Sequence, residues 1–120
     1  MSDWIDIAGE NECPAGTSIE RVAANAMVAL ANVDGQLHAI DGLCPHQGGP
    51  LGTGELCGEV LTCPWHGWQF DVTTGQHRYS ANVRQQSYEV KVENANFGLD
   101  LYLVMVICIT FQRCRVVCDH

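Results

Sequence analysis

Two short stretches hold the side chains best suited to metal chemistry: Cys44-Pro45-His46 and Cys63-Pro64-Trp65-His66, with sixteen residues between His46 and Cys63. In each, a thiolate and an imidazole stand close enough for both to point at one centre from a tight loop. Two such loops on neighbouring hairpins can close around that centre. The prolines restrict each loop beforehand, so less chain entropy is lost when metal arrives. Gly42, Gly48, Gly49, Gly52 and Gly54 crowd the first stretch. Lacking a Cβ, they let backbone N–H groups approach inorganic sulfide, where hydrogen bonds tune a cluster's potential.

Two cysteines and two histidines also suit a structural zinc ion. Zinc sites usually pair thiolates in one knuckle and histidines in another, whereas the order here is Cys, His, Cys, His. A two-iron centre accounts for that order, with Cys44 and Cys63 on one iron and His46 and His66 on the other. A zinc-binding interaction module stays as the rival. Colour and metal content separate the two, since zinc leaves a protein colourless.

The elements that must carry these loops are short and β-type, with no long stretch of helical period. Strands are expected at Trp4 to Ala8, Ser18 to Ala23, Ala26 to Val33 and Leu37 to Ile40. The alanines in the second and third also suit helix. Asp34-Gly35, between two of these runs, is the strongest two-residue hairpin signal in the chain. Further strands are expected at Glu59 to Thr62, Trp68 to Val72, Ser87 to Glu93 and Phe97 to Leu103, with Thr74-Gly75 as a turn. Tyr88, Val90 and Val92 alternate with Glu89, Lys91 and Glu93, and Phe97, Leu99, Leu101 and Leu103 alternate in turn. Seven or eight short strands predict an all-β fold, a small antiparallel sandwich or barrel.

At 120 residues there is room for one domain with a modest core. Six basic residues face fourteen acidic ones, a formal net charge of −8, which argues against nucleic-acid or anionic-lipid binding. Such a surface favours a partner with a basic docking patch, or it serves only to keep the chain soluble. Seven cysteines, an odd number, follow an N-terminus without an export signal. Reduced, metal-binding thiols in the cytoplasm are therefore expected. The uncharged apolar run from Leu101 to Phe111 is about half the ~20 residues a membrane span needs.

The segment Cys44 to Gly75, CPHQGGPLGTGELCGEVLTCPWHGWQFDVTTG, resembles the two cluster-binding loops of Rieske proteins. It is most similar to the Rieske ferredoxins of bacterial ring-hydroxylating oxygenases, with looser likeness from Trp4 to Leu101. The resemblance implies a small β-sandwich with a [2Fe-2S] cluster on Cys44, His46, Cys63 and His66. It implies a one-electron carrier between a flavin-dependent NAD(P)H reductase and a terminal oxygenase, with no catalysis of its own. The small Rieske subunit of a complex such as NAD(P)H nitrite reductase is the alternative. High-potential relatives carry a disulfide joining the two loops. The matching positions here are Gly49 and Trp65, which cannot form one. Where those relatives place serine and tyrosine hydroxyls, this chain has Trp68 and Phe70. With fewer donors to the sulfurs, a potential near the low end of the Rieske range is expected, on the order of −150 mV. The family's third, proline-containing loop matches Gln76 to Gln86, where this chain has no proline.

Other candidates are read as structural. Cys57 is expected to pack as a small apolar side chain, and Cys13 to sit in a turn. His38 and His77 are expected at the surface or with satisfied hydrogen bonds. Trp65 and Trp68 are expected to shield the cluster, with Trp65 also a possible docking aromatic. The chain divides into a Rieske domain, 1–103, and an apolar tail, 104–120, that pairs with a sheet edge or another subunit. The spacing of Cys108, Cys114, Cys118 and His120 in that tail matches none of the short paired-ligand patterns.

Overall fold

Alternating runs cut by turn residues leave little of this chain to helix. The computed structural model describes residues 4–9, 12–23, 26–65, 67–97 and 100–108. Among these are ten strands: β1 (Trp4–Gly9), β2 (Ser18–Ala23), β3 (Ala26–Val33), β4 (Gln36–Asp41), β5 (Glu55–Cys57), β6 (Val60–Thr62), β7 (Gln69–Asp71), β8 (Ser87–Tyr88), β9 (Val90–Phe97) and β10 (Asp100–Cys108). They form three antiparallel sheets, ordered β1-β10-β9, β2-β3-β4-β8 and β5-β6-β7. A 3-10 turn, Leu51–Thr53, leads into β5. The expected all-β architecture is the one observed.

The β3–β4 hairpin turns on Asp34 (φ 53°) and Gly35 (φ 92°). Two successive positive φ values match the right-handed twist of the flanking strands. Asn32 Oδ1 accepts the Gly35 N–H at 2.8 Å and closes the turn.

β3 is buried along its middle because both of its faces are covered. Val28 and Leu30 point to a core shared with Ala8, Cys13, Ala23 and Ala39. Ala29 and Ala31 point the other way, to Ile40, Leu51, Leu61, Phe70, Val72, Cys44 and Cys63. The alanines that made helix conceivable are the small side chains that let a strand approach the hairpins of Cys44 and Cys63. Both cysteines thus rest on the second core.

Three strands differ from the sequence reading by more than a residue at either end. β5 was not expected, since only Leu56 is apolar and half-buried between two exposed neighbours. Ser87 to Glu93 is not one strand: β8 pairs with β4, and after Glu89 the chain enters β9, which pairs with β10. Phe97 ends β9 opposite Asp100, so the alternation from Phe97 to Leu103 spans a hairpin turn. Leu99 lies outside the described residues. Alternation reports which face a side chain takes, and it is blind to a change of partner strand.

The division placed after Leu103 falls inside β10. Val104 to Cys108 pair with β1, from Gly9↔Val104 to Trp4↔Cys108. Cys114, Cys118 and His120 lie outside the described residues.

Candidate metal centre

The two Cys-and-His stretches fold as like-built hairpin tips. In the first, the Cys44 N–H donates to Gly49 O (2.9 Å) and the Gly48 N–H to Cys44 O (2.7 Å). In the second, the Cys63 N–H donates to Trp68 O (2.8 Å) and the Gly67 N–H to Cys63 O (3.2 Å). The fourth residue after each cysteine must adopt positive φ, and it is glycine both times: Gly48 at 73° and Gly67 at 78°. That repeated Cys-x3-Gly was readable in the sequence and went unremarked there.

The tips bring Cys44 and Cys63 together. Both are buried, and their thiols interact directly. Burial pushes the Cys44 thiol up, and the adjoining Cys63 thiol pushes it further; N–H groups of His46 and Gln47 directed at the sulfur oppose this. The Trp65 N–H likewise points at Cys63 Sγ, 3.4 Å away. A buried Cys44 thiol that resists ionisation, set against a second buried thiol, is what a bound cation relieves, and the N–H groups are placed to stabilise thiolate sulfur. Gly49 closes the gap between the tips. A Cβ there would sit 2.6 Å from Cys63 Sγ and 3.1 Å from Trp65 Cβ.

His46 is exposed at the end of the first tip, and Trp68 stacks flat on it, with ring centroids 4.6 Å apart and planes within 8°. His66 lies outside the described residues. Among the described residues, no three Cys, His, Asp or Glu side chains gather round one point.

The segment matching the proline-containing loop is held here by side chains. Gln85 is buried, and its Nε2 donates to Asp41 O (3.0 Å) and Leu43 O (2.6 Å), fixing the chain just ahead of Cys44. Gln76 Nε2 donates to Ser80 O (2.9 Å) and Val83 O (3.0 Å). His77 packs edge-on to Trp68 (5.0 Å) and Phe70 (5.1 Å), supporting the ring that covers His46. Nothing in the sequence separates Gln85 from its neighbour Gln86, so this residue was missed.

Three side chains, Trp65 of the second tip among them, take different places from those expected. Cys57 is exposed, not packed, because β5 lies at a sheet edge with its odd residues outward. Cys13 is fully buried in the first core, its carbonyl held by Asn32 Nδ2 at 2.7 Å. Trp65 is 49 % exposed and shields little, whereas Trp68 covers His46. His38 is half-buried on β4, and burial lowers its pKa, partly offset by Asp71 and Glu59. His77 is satisfied, as expected: its Nδ1 accepts the N–H groups of Tyr79 (3.0 Å) and Ser80 (3.1 Å).

A sandwich of short strands that presents two like-built Cys-and-His tips defines a cluster-binding β protein. The Rieske [2Fe-2S] domain family matches residues 3–94, and the chain belongs to that family. Membership brings one [2Fe-2S] cluster per chain and an electron-carrying role. The ferredoxin component of a naphthalene 1,2-dioxygenase system from Pseudomonas aeruginosa is 35 % identical over 100 residues, covering 82 % of this chain and 95 % of that one. The ferredoxin component of an alkene monooxygenase system from Xanthobacter autotrophicus is 48 % identical over 67 residues, 55 % of each chain. A solved complex of reduced oxygenase and oxidised ferredoxin in carbazole 1,9a-dioxygenase contains a chain 31 % identical, with a TM-score of 0.65 over 84 % of this chain and 92 % of that one.

Proposed function

We propose that this chain receives one electron from a flavin-dependent NAD(P)H reductase and passes it to a terminal oxygenase in the cytoplasm. Cys44 and Cys63 hold one iron of the cluster, and His46 and His66 hold the other. When bound, the cluster supplies reversible one-electron storage. The chain's own residues hold and shield it. The N–H groups of His46, Gln47 and Trp65 stabilise thiolate sulfur, Trp68 keeps water off one face of His46, and Gln85 fixes the approach to Cys44. Among the described residues no helix is long and apolar enough to cross a membrane.

The observation that carries this reading is the meeting of two buried thiols between like-built tips, each with an N–H donor aimed at its sulfur. Neutral imidazoles raise the potential above that of an all-thiolate cluster. The absence of hydroxyl donors at Trp68 and Phe70 keeps it near the low end of the Rieske range, on the order of −150 mV. That suits a nicotinamide-derived electron and not quinol oxidation.

The test is electron paramagnetic resonance of the dithionite-reduced protein, with iron and acid-labile sulfide counted. A signal typical of mixed nitrogen and sulfur ligation is expected, and its loss in Cys44→Ser and His66→Ala. If both variants keep the native spectrum, the ligand assignment is wrong.

A further inference from the structure

The aromatic contacts at His46 continue outward to the surface. Trp68 stacks on His46, His77 meets Trp68 edge-on, and Tyr79 lies edge-on to His77 at 6.3 Å. Tyr79 is 76 % exposed, the most exposed of the large apolar side chains among the described residues. The Arg78 guanidinium sits over its ring, 5.6 Å from the centroid, within cation–π range. Both N–H bonds to His77 Nδ1 tie the backbone of this turn, so little backbone ordering is left to lose on association.

Charge is distributed unevenly. Residues 42–54, 63–70 and 72–88 contain no Asp or Glu, yet they carry Arg78 and Arg84, in a chain of net charge −8. These are the loops that meet at the cluster end. The acids that flank these stretches in the chain have contacts of their own: Asp71 accepts the Thr73 N–H and, with Glu59, acts on His38, while Glu55 shares a groove with Cys63 and Pro64.

We propose that Arg78 and Tyr79 form the docking contact for a carboxylate-bearing patch on the electron-transfer partner. Contact is relayed inward through His77 and Trp68 to His46. The inference rests on the carrier reading above. Net charge taken alone favours a basic patch on the partner, and the carboxylate-free end with its two arginines departs from that rule locally. Tyrosine and arginine are the side chains that most often anchor such contacts.

The test uses the reduced holoprotein and hexacyanoferrate(III). One electron leaves the protein, returning it to the oxidised state, and the probe becomes hexacyanoferrate(II). If net charge governs approach, added salt screens repulsion and the rate rises; if the cationic contact governs, the rate falls with salt. We expect a several-fold fall in the wild type and a reversed slope in Arg78→Glu. Short polyglutamate should slow wild-type oxidation and leave Arg78→Glu, Tyr79→Ala unaffected. Should Arg78→Glu fail to fold, the neutral Arg78→Gln reads the same slope, which must then flatten. A rising slope shared by wild type and variant, with no effect of polyglutamate, would overturn the docking contact. Iron, sulfide and the reduced-state spectrum are measured on the same samples. Their absence from the wild type would instead sink the carrier reading.

Discussion

Gly49 and Gly48 stand side by side and do different work. A methyl group at Gly49 collides with Cys63 Sγ, whereas one at Gly48 meets open space and suffers only the strain of φ 73°. Gly49→Ala should therefore lose most of its iron and sulfide. Gly48→Ala should keep the cluster and lose about 1–3 kcal/mol of stability from left-handed backbone strain. Metal analysis beside a denaturant melt distinguishes them. His38 makes a pH prediction. Burial depresses its pKa below the ordinary 6.5, so as pH falls the unfolded chain binds the proton first. The stability this residue supports is complete above pH 6.5 and declines as pH drops below it. In His38→Gln that part of the decline should vanish from melting curves recorded between neutral and mildly acidic pH.

Among the elements, the chain from Gly75 to Gln86 is the most dependent on single contacts. Gln85 spans from this loop to the carbonyls of Asp41 and Leu43, so Gln85→Leu leaves two oxygens short of a donor. Both bonds are only part-buried, so a total loss of about 1 kcal/mol is expected, read as a lower urea midpoint. A shifted reduction potential should accompany it, because Leu43 leads directly into Cys44. Gly75→Ala attacks the same clamp from the other side, since its Cβ would lie 2.1 Å from Gln85 O at φ +85°.

For the whole molecule, the sheet β1-β10-β9 is closed by residues beyond position 103. Every partner of β1 lies between Val104 and Cys108. A chain ending at Leu103 should melt well below the full-length protein, because Trp4–Gly9 loses its neighbour and the core around Ala8 opens. A chain ending at Cys108 should keep most of its stability. Equal melting of the two would show that β1 contributes nothing. Removal of iron by acid and chelator should lower the melting temperature while far-ultraviolet circular dichroism keeps its β signature. The core around Val28 and Leu30 does not involve the ligand tips.

The sequence by itself determined what depends on neighbours along the chain. It set the alternation of Cys and His over two tips, the Asp34-Gly35 hairpin, the glycines that allow positive φ, and the bounds of β2 and β3. Backbone sterics and side-chain period act over a few residues, so such features are legible without a fold. The tertiary structure decided what depends on distant residues meeting: Trp68 on His46, Gln85 against Leu43, the burial of Cys13, the exposure of Cys57, and β10 beside β1. Each comes from segments far apart in the chain, and neither residue of such a pair marks its partner. The electrostatic character of the cluster end belongs to the same class, because a net charge says nothing of where folding gathers the charges that compose it.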